Sequence, residues 1–260
     1  MPTKTINGAA IFYEDSGKGS PPLVLVHGFP LDSRIFADQA TSLSKDRRVI
    51  RPDLRGFGQS QCSAPSFSIT SLADDLYVLL KDIDALPCVL GGLSMGGYIA
   101  LAFATKYASD LKGLILIDTR SEGDTSDGKA ARDKMIASLK QGGSRAIADQ
   151  MFPKMLAPQN QSTEVGARAR NIMESQRPET IERALIAMRD RQDYTSILPS
   201  IAVPTLVLVG ENDTIAPPDL AKKLHAAIPN SILQIIPNAG HLSTMEQPQA
   251  VTQAIREFLG

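Results

Sequence analysis

Residues 88–98 read Cys88-Val89-Leu90-Gly91-Gly92-Leu93-Ser94-Met95-Gly96-Gly97-Tyr98, and the reading of the fold turns on them. Val89-Leu90 is a short apolar run next to glycine, as in a buried strand. Tyr98 to Tyr107 reads as a helix. Between them, Gly92-Leu93-Ser94-Met95-Gly96 matches G-x-S-x-G. A strand that turns this sharply into a helix needs small flanking residues. The turn then holds its serine in a strained pose, hydroxyl exposed at the sheet edge. A glycine-rich turn with an incidental serine is the bland alternative, and only partner residues elsewhere in the chain decide between them.

Outward from this turn, short runs rich in Val, Ile and Leu recur at Leu23–Val26, Val49–Ile50, Leu114–Ile117, Leu206–Val209 and Ile232–Ile236. Each is apolar on both faces, which suits a parallel sheet covered on both sides. Amphipathic stretches lie between them. Ile69, Leu72, Ala73, Leu76, Leu79, Leu80 and Ile83 keep helical spacing. Val251, Ala254, Ile255 and Phe258 repeat it after Pro248, a residue suited to a first helical turn. Thr3 to Tyr13, centred on Asn7-Gly8, reads as a hairpin. The alternation implies a doubly wound, mostly parallel α/β sheet. Residues 120–195 break the rhythm and contain no convincing strand. Met135, Ile136 and Leu139 mark one helix; Ile181, Ala184, Leu185 and Met188 mark another. The expected organisation is a core of residues 1–119 and 196–260, with 120–195 as a helical cap inserted between two strands.

The 260 residues are 43% hydrophobic, enough for a single α/β core. With 27 Lys plus Arg against 28 Asp plus Glu, the net charge of −1 offers no electrostatic footprint for nucleic acid or an acidic membrane face. No run reaches the ~20 apolar residues of a membrane span, and the N-terminus has no signal-peptide pattern. Of the two cysteines, Cys62 and Cys88, the second sits in a strand-like run and is expected as a buried free thiol. A cytoplasmic location is the default expectation, with no cofactor and no metal.

A serine hydroxyl is a weak nucleophile and needs a base within hydrogen-bond reach. The chain has three histidines. His225 lies in an amphipathic helix and reads as a surface residue. His27 closes a strand before Gly28, where a structural role fits. His241, in Asn238-Ala239-Gly240-His241, follows the last strand, at the strand end where doubly wound sheets place their sites. An imidazole base needs an acid to fix its tautomer and stabilise the imidazolium. Asp213 in Gly210-Glu211-Asn212-Asp213 satisfies the order serine, acid, histidine. Asp118, ending the preceding strand, is its rival; Glu211 is a weaker one. For the oxyanion of an acyl-transfer intermediate, the backbone N–H of Met95 is one donor. The other comes from His27-Gly28-Phe29-Pro30, and since Pro30 has no N–H, Phe29 is the candidate.

HGFPLDS, RPDLRGFGQS, LGGLSMGG, LVLVGENDTIAPP and NAGHLSTMEQP together resemble the blocks of α/β-hydrolases, in the right order and over nearly the whole chain. Within that superfamily the chain is similar to carboxylesterases and 3-oxoadipate enol-lactonases, the latter also through QGGSRAIADQM and LILIDTRSEGDTSDGKAAR. The resemblance implies hydrolysis of a small-molecule ester or lactone. It departs at tryptophan: those relatives carry it near the oxyanion loop and in the cap, where this chain has Ile35-Phe36 and Met151-Phe152. Haloalkane dehalogenases and epoxide hydrolases of this fold use aspartate at the elbow, so Ser94 excludes both. The elbow and GFGQS are also similar to cofactor-free haloperoxidases, which implies a peracid-forming side activity. Arg120, where the chain enters the cap, is a candidate anchor for a substrate carboxylate. Five of the eight methionines fall in the insertion, and Met151 and Met155 are candidates to line the acyl pocket.

Overall fold

In the computed structural model, which describes residues 2–61 and 66–260, the N-terminal hairpin forms where Asn7-Gly8 predicts it. Asn7 (φ 46°) and Gly8 (φ 78°) supply the positive φ values of a tight two-residue loop between β1 (Thr3–Ile6) and β2 (Ala9–Ser16). The chain continues through β3 (Leu23–Val26), α1 (Ala37–Leu43), β4 (Val49–Pro52), α2 (Ile69–Asp82), β5 (Cys88–Leu93), α3 (Met95–Lys106) and β6 (Leu111–Ile117). Three helices follow: α4 (Ser126–Met155), α5 (Glu164–Glu174) and α6 (Pro178–Arg189). The last third contains β7 (Thr205–Gly210), α7 (Pro218–Ala227), β8 (Ser231–Ile236), α8 (Ser243–Glu246) and α9 (Pro248–Leu259).

The eight strands form one sheet in the order β1-β2-β4-β3-β5-β6-β7-β8. Only the pairings of β2 with β1 and β4 are antiparallel. From β4 to β8 every pair is parallel, so each connection must cross a face of the sheet. Helices therefore cover both faces. Successive residues of β3 go to opposite sides: Val24 and Val26 join the core under α2 and α3, whereas Leu23 and Leu25 join the core under α1 and α9. This is why the central strands read as unbroken apolar runs. The expected helical stripe over 69–83 is the buried face of α2, and a reciprocal capping box between Ser68 and Ser71 starts that helix.

One strand departs from the expectation. β8 is at the edge of the sheet, and its run is not buried on both faces: Ile232 is 58% and Ile235 39% exposed. An edge strand keeps β-branched residues for its pleat without needing to bury all of them. Cys88 is buried with a free thiol; Cys62 lies outside the described residues. Among the described residues no helix is long and apolar enough to cross a membrane.

The segment between β6 and β7 contains more helix than the two stripes suggest. α4 is two limbs meeting at Gly143 (φ 62°, ψ −160°), and α5 is a further helix. α4 packs against both α5 and α6. Hydrogen bonds fasten this segment to loops that leave the carboxyl ends of β3, β4 and β8. Buried Gln176 donates to Asp32 Oδ2 (2.9 Å) and accepts from the Gly58 N–H (3.0 Å). Glu246 Oε2 accepts from the Ala157 N–H (2.8 Å), and the Leu242 N–H donates to the Met155 carbonyl (3.0 Å). The helices thus sit over the strand ends where Ser94 lies.

Candidate active site

Ser94 occupies the single residue between β5 and α3, at φ 53° and ψ −112°. A non-glycine residue rarely holds such a conformation, which costs of order 1–3 kcal/mol. The surroundings over-determine it: the Ser94 N–H donates to the Ile117 carbonyl (2.9 Å), and its own carbonyl accepts from Thr119 Oγ1 (2.8 Å). The turn needs its glycines. A Cβ on Gly92 would lie 2.1 Å from the Gly96 carbonyl oxygen, and one on Gly96 would lie 2.1 Å from the Val26 carbonyl oxygen. Backbone atoms cannot yield that much, so the G-x-S-x-G spacing follows from the close packing of α3 on β5 and β3.

The structure brings Ser94, His241 and Asp213 into one hydrogen-bonded line. His241 Nε2 is 2.9 Å from Ser94 Oγ, and His241 Nδ1 is 2.8 Å from Asp213 Oδ2. With Nδ1 protonated toward the carboxylate, Nε2 is left free to accept the serine proton. Asp213 is itself fixed: Oδ1 accepts from the N–H groups of Ile215 (2.7 Å) and Ala216 (2.9 Å). The segments at the ends of β7 and β8 meet at Gly210 and Gly240, where neither carries a side chain. A Cβ on Gly210 would lie 2.0 Å from the Gly240 carbonyl oxygen, which brings Asp213 and His241 within reach of each other.

Asp213 and His241 are both buried, at 3% and 2% exposure, and this sets their electrostatics. Burial opposes ionisation of Asp213, but His241 and the two N–H donors outweigh it and hold the carboxyl below its usual range. Burial likewise works against the His241 imidazolium, yet the adjacent Asp213 carboxylate prevails and raises the pKa above the ordinary imidazole value.

Asp118 does not reach the imidazole ring by a hydrogen bond. Its Oδ1 accepts from the Gly210 N–H (2.8 Å), and its Oδ2 accepts from Ser243 Oγ (2.6 Å) and the Ser243 N–H (3.2 Å). It thus clamps the end of β7 to the turn just after His241. Burial, then the charge of Asp213, push its carboxyl up to about 8. Glu246 is a second clamp that the sequence reading misses: its Oε1 accepts from the Gly240 N–H (2.8 Å) while Oε2 holds Ala157 and Asn160. Its only sequence signal is its place three residues after Ser243 in NAGHLSTMEQP. Glu211 accepts from the Asn238 N–H (3.2 Å) and takes no part in the line.

The other two histidines are elsewhere. His27 is buried, with Nδ1 2.9 Å from the Gly28 carbonyl and Nε2 accepting from the Leu54 N–H (2.9 Å). Those partners assign the proton to Nδ1, and burial lowers the pKa, so the ring is a neutral bracket for the loop after β3. His225 is exposed and pairs with Ser231 (2.8 Å). The bracketed loop passes directly by Ser94: a Cβ on Gly28 would lie 3.1 Å from the Ser94 Cβ. Phe29 is next in that loop, and Met95, as the first residue of α3, has an N–H without an intrahelical acceptor. Among the described residues no cluster of acidic, histidine and cysteine side chains is arranged to hold a metal ion.

A cavity of about 570 Å³ has Arg120, Met135, Met151, Thr214 and Ile215 in its wall; it adjoins the site through the loop after β7, where the Ile215 N–H donates to Asp213 Oδ1. Met155 is not in that wall, contrary to the expectation from sequence. It is fully buried and packs in the core with Leu156, Leu242 and Met245. Its place at the end of α4, where its carbonyl receives the Leu242 N–H, turns the side chain into the seam between helices and sheet.

The chain belongs to the α/β-hydrolase fold family, whose model matches residues 21–248. It is 32% identical to the AB hydrolase superfamily protein YisY of Bacillus subtilis (strain 168), over 98% of this chain and 97% of that one. Among solved structures, a thermophilic esterase from Thermogutta terrifontis, with malate bound, is 41% identical with a TM-score of 0.95, covering 99% of this chain and 97% of that one. The enol-lactonase from Burkholderia xenovorans LB400 is 27% identical with a TM-score of 0.92, covering 99% of each chain.

Proposed function

We propose that this protein is a serine esterase that cleaves small carboxylic esters through an acyl-enzyme on Ser94. The observation that carries this reading is the unbroken line from Asp213 Oδ2 through the imidazole to Ser94 Oγ at a strained elbow. In the first half-reaction Ser94 Oγ attacks the ester carbonyl carbon while His241 Nε2 takes its proton. Asp213 stabilises the imidazolium that results. The backbone N–H groups of Phe29 and Met95 receive the negative oxygen of the tetrahedral intermediate. The intermediate collapses, the C–O bond to the alcohol breaks, and the alcohol leaves with the proton from His241. Water then attacks the acyl carbon with His241 as base again, which releases the acid and restores Ser94. Met151 in the cavity wall bounds the acyl group.

A second reading is lactone hydrolysis, in which the leaving alcohol stays tethered to the acyl carbon. The fold-wide similarity to an enol-lactonase supports it. Turnover of 4-nitrophenyl acetate and butyrate, and of a lactone panel, by wild type and Ser94→Ala tests both. The esterase reading expects short esters to be hydrolysed by wild type alone. Nearly inert esters beside one strongly preferred lactone would overturn it in favour of the second reading. Equal turnover by Ser94→Ala would overturn both.

A further inference from the structure

Glu246 is a buried carboxylate that no cation balances. It is 8% exposed, and among the described residues no ion pair reaches it. Its partners are N–H donors: Gly240 (2.8 Å) on Oε1, and Ala157 (2.8 Å) with the Asn160 side-chain amide (2.7 Å) on Oε2. All three donate, so both oxygens must accept, and the group is held as a carboxylate. Burial pushes its pKa above the usual range, and the N–H donors oppose that shift. Burying a carboxylate without a cation costs free energy, and fastening a helix end does not require a charge.

The two sides of this carboxylate belong to different parts of the fold. Oε1 faces Gly240, which directly precedes His241, whereas Oε2 faces Ala157 and Asn160, just beyond the end of α4. The residue after His241 is tied to the same stretch, since the Leu242 N–H donates to the Met155 carbonyl (3.0 Å). Gly240 also packs on that stretch directly: a Cβ there would lie 2.5 Å from the Ala157 nitrogen. Hydrogen bonds to the sheet side begin one residue further out. The Ala239 carbonyl accepts from the Asn212 N–H (2.8 Å), and Ser243 is bound by Asp118. His241 therefore stands on backbone whose immediate neighbours, before and after, are both set by the helical segment between β6 and β7.

We infer that Glu246 is a positioning residue for the base: it locks Gly240 to the end of α4, so that docking of the helical segment sets where His241 Nε2 stands relative to Ser94. The inference rests on the reading of His241 as the general base of an ester hydrolase. It makes the helical segment part of the support of the base as well as a cover over the strand ends. A base must be held within about 0.5 Å of its productive place, and 2.9 Å separates His241 Nε2 from Ser94 Oγ.

The test sets Glu246→Gln beside Gln176→Ala. In Glu246→Gln the amide oxygen is drawn to the side with two donors, Ala157 and Asn160, which turns the NH₂ on the Gly240 N–H and breaks that tie. Gln176→Ala unfastens the same helical segment at its far anchor, Asp32 and Gly58, and leaves the tie to Gly240 intact. Hydrolysis of 4-nitrophenyl butyrate gives kcat and KM, at a temperature where circular dichroism shows each variant fully folded. The low-field proton resonance of the His241 Nδ1–H reports its bond to Asp213. Glu246→Gln should lower kcat by about 10- to 100-fold, the cost of a catalytic group displaced by an ångström or less. KM should stay within about threefold, because His241 serves acylation and deacylation alike. The resonance should shift or broaden, and Glu246→Asp, which keeps the carboxylate, should recover part of the loss in kcat. Gln176→Ala should keep the kcat and the resonance of wild type. An unchanged kcat in folded Glu246→Gln would overturn the inference, and so would an equal fall in Gln176→Ala. If Glu246→Gln does not fold, Asn160→Ala, which removes one donor on the α4 side, carries the same test with the same outcomes. If wild type turns over no ester, the esterase reading fails and the resonance decides alone. A change in Glu246→Gln with none in Gln176→Ala supports the positioning role; any other pattern overturns it.

Discussion

Asp118 and Asp213 both follow a strand of the sheet, both are buried, and their charges interact, yet replacing each by asparagine should have very different consequences. In Asp213→Asn the amide oxygen can keep the Ile215 and Ala216 N–H groups, which together need an acceptor. The NH₂ must then face His241 Nδ1, 2.8 Å away in the native line. Two donors cannot face each other, so the imidazole proton moves to Nε2 and the base facing Ser94 is lost. The expected fall in kcat is ~10⁴-fold, the loss seen when a triad acid becomes an amide, or about 5.5 kcal/mol in the barrier. In Asp118→Asn the oxygen can keep the Gly210 N–H, and the NH₂ can donate to Ser243 Oγ. Only the 3.2 Å bond from the Ser243 N–H is lost. That should cost about 1–3 kcal/mol of stability and roughly tenfold or less in kcat. Steady-state hydrolysis of 4-nitrophenyl butyrate and thermal melts of both variants measure the contrast. If Asp118→Asn is the more damaging change to kcat while remaining folded, the acid has been misassigned.

The pH profile of kcat/KM should rise with deprotonation of His241, with its midpoint above the unperturbed value of about 6.5, because the Asp213 carboxylate holds the pKa up against burial. A profile flat from pH 5 to 8 would contradict a histidine base. The same raised pKa makes His241 stabilise the fold most below that unperturbed value, and this contribution should fade in melts as pH climbs through the folded-state pKa. Met151→Ala should shift the acyl-length ceiling upward across an acetate-to-decanoate series, because the side chain stands in the cavity wall. Met155→Ala should leave that ceiling in place and lower stability by about 2–5 kcal/mol, the cost of emptying a fully buried methionine site. Equal acyl profiles for wild type and Met151→Ala would remove Met151 from the pocket.

The Ser94 and Asp213 turns are legible in the sequence because each follows an apolar run that reaches a glycine, and the His241 loop because Asn238-Ala239-Gly240 follows the last such run. Gly92 and Gly96 are dictated by backbone contact, and so are Gly210 and Gly240, so the glycines that mark the motifs report real close approaches. What the sequence does not disclose is where two equivalent carboxylates point. Asp118 directly follows β6 and Asp213 comes three residues after β7, and only the contacts of Asp118 with Gly210 and Ser243 mark it as a clamp. Edge position is likewise invisible in β8, since its Ile232 and Ile235 read like residues of a central strand. α5 has its apolar residues Val165, Ala169, Ile172 and Met173 interleaved with Arg168 and Arg170, which hides a stripe that is buried at Ala169, Ile172 and Met173. Met155 shows the limit of composition as a guide. A methionine-rich insertion points to an adaptable wall, but the register of α4 sends one methionine to the cavity and another to the core.

If Ser94 is the nucleophile, covalent trapping will mark that one serine. A fluorophosphonate reacts only with a serine activated by a neighbouring base. After incubation with the probe, digestion and mass spectrometry should find one adduct, on the peptide containing Ser94, and none in the Ser94→Ala variant. Labelling of Ser94→Ala at the wild-type level, or an adduct on a different serine, would contradict the account.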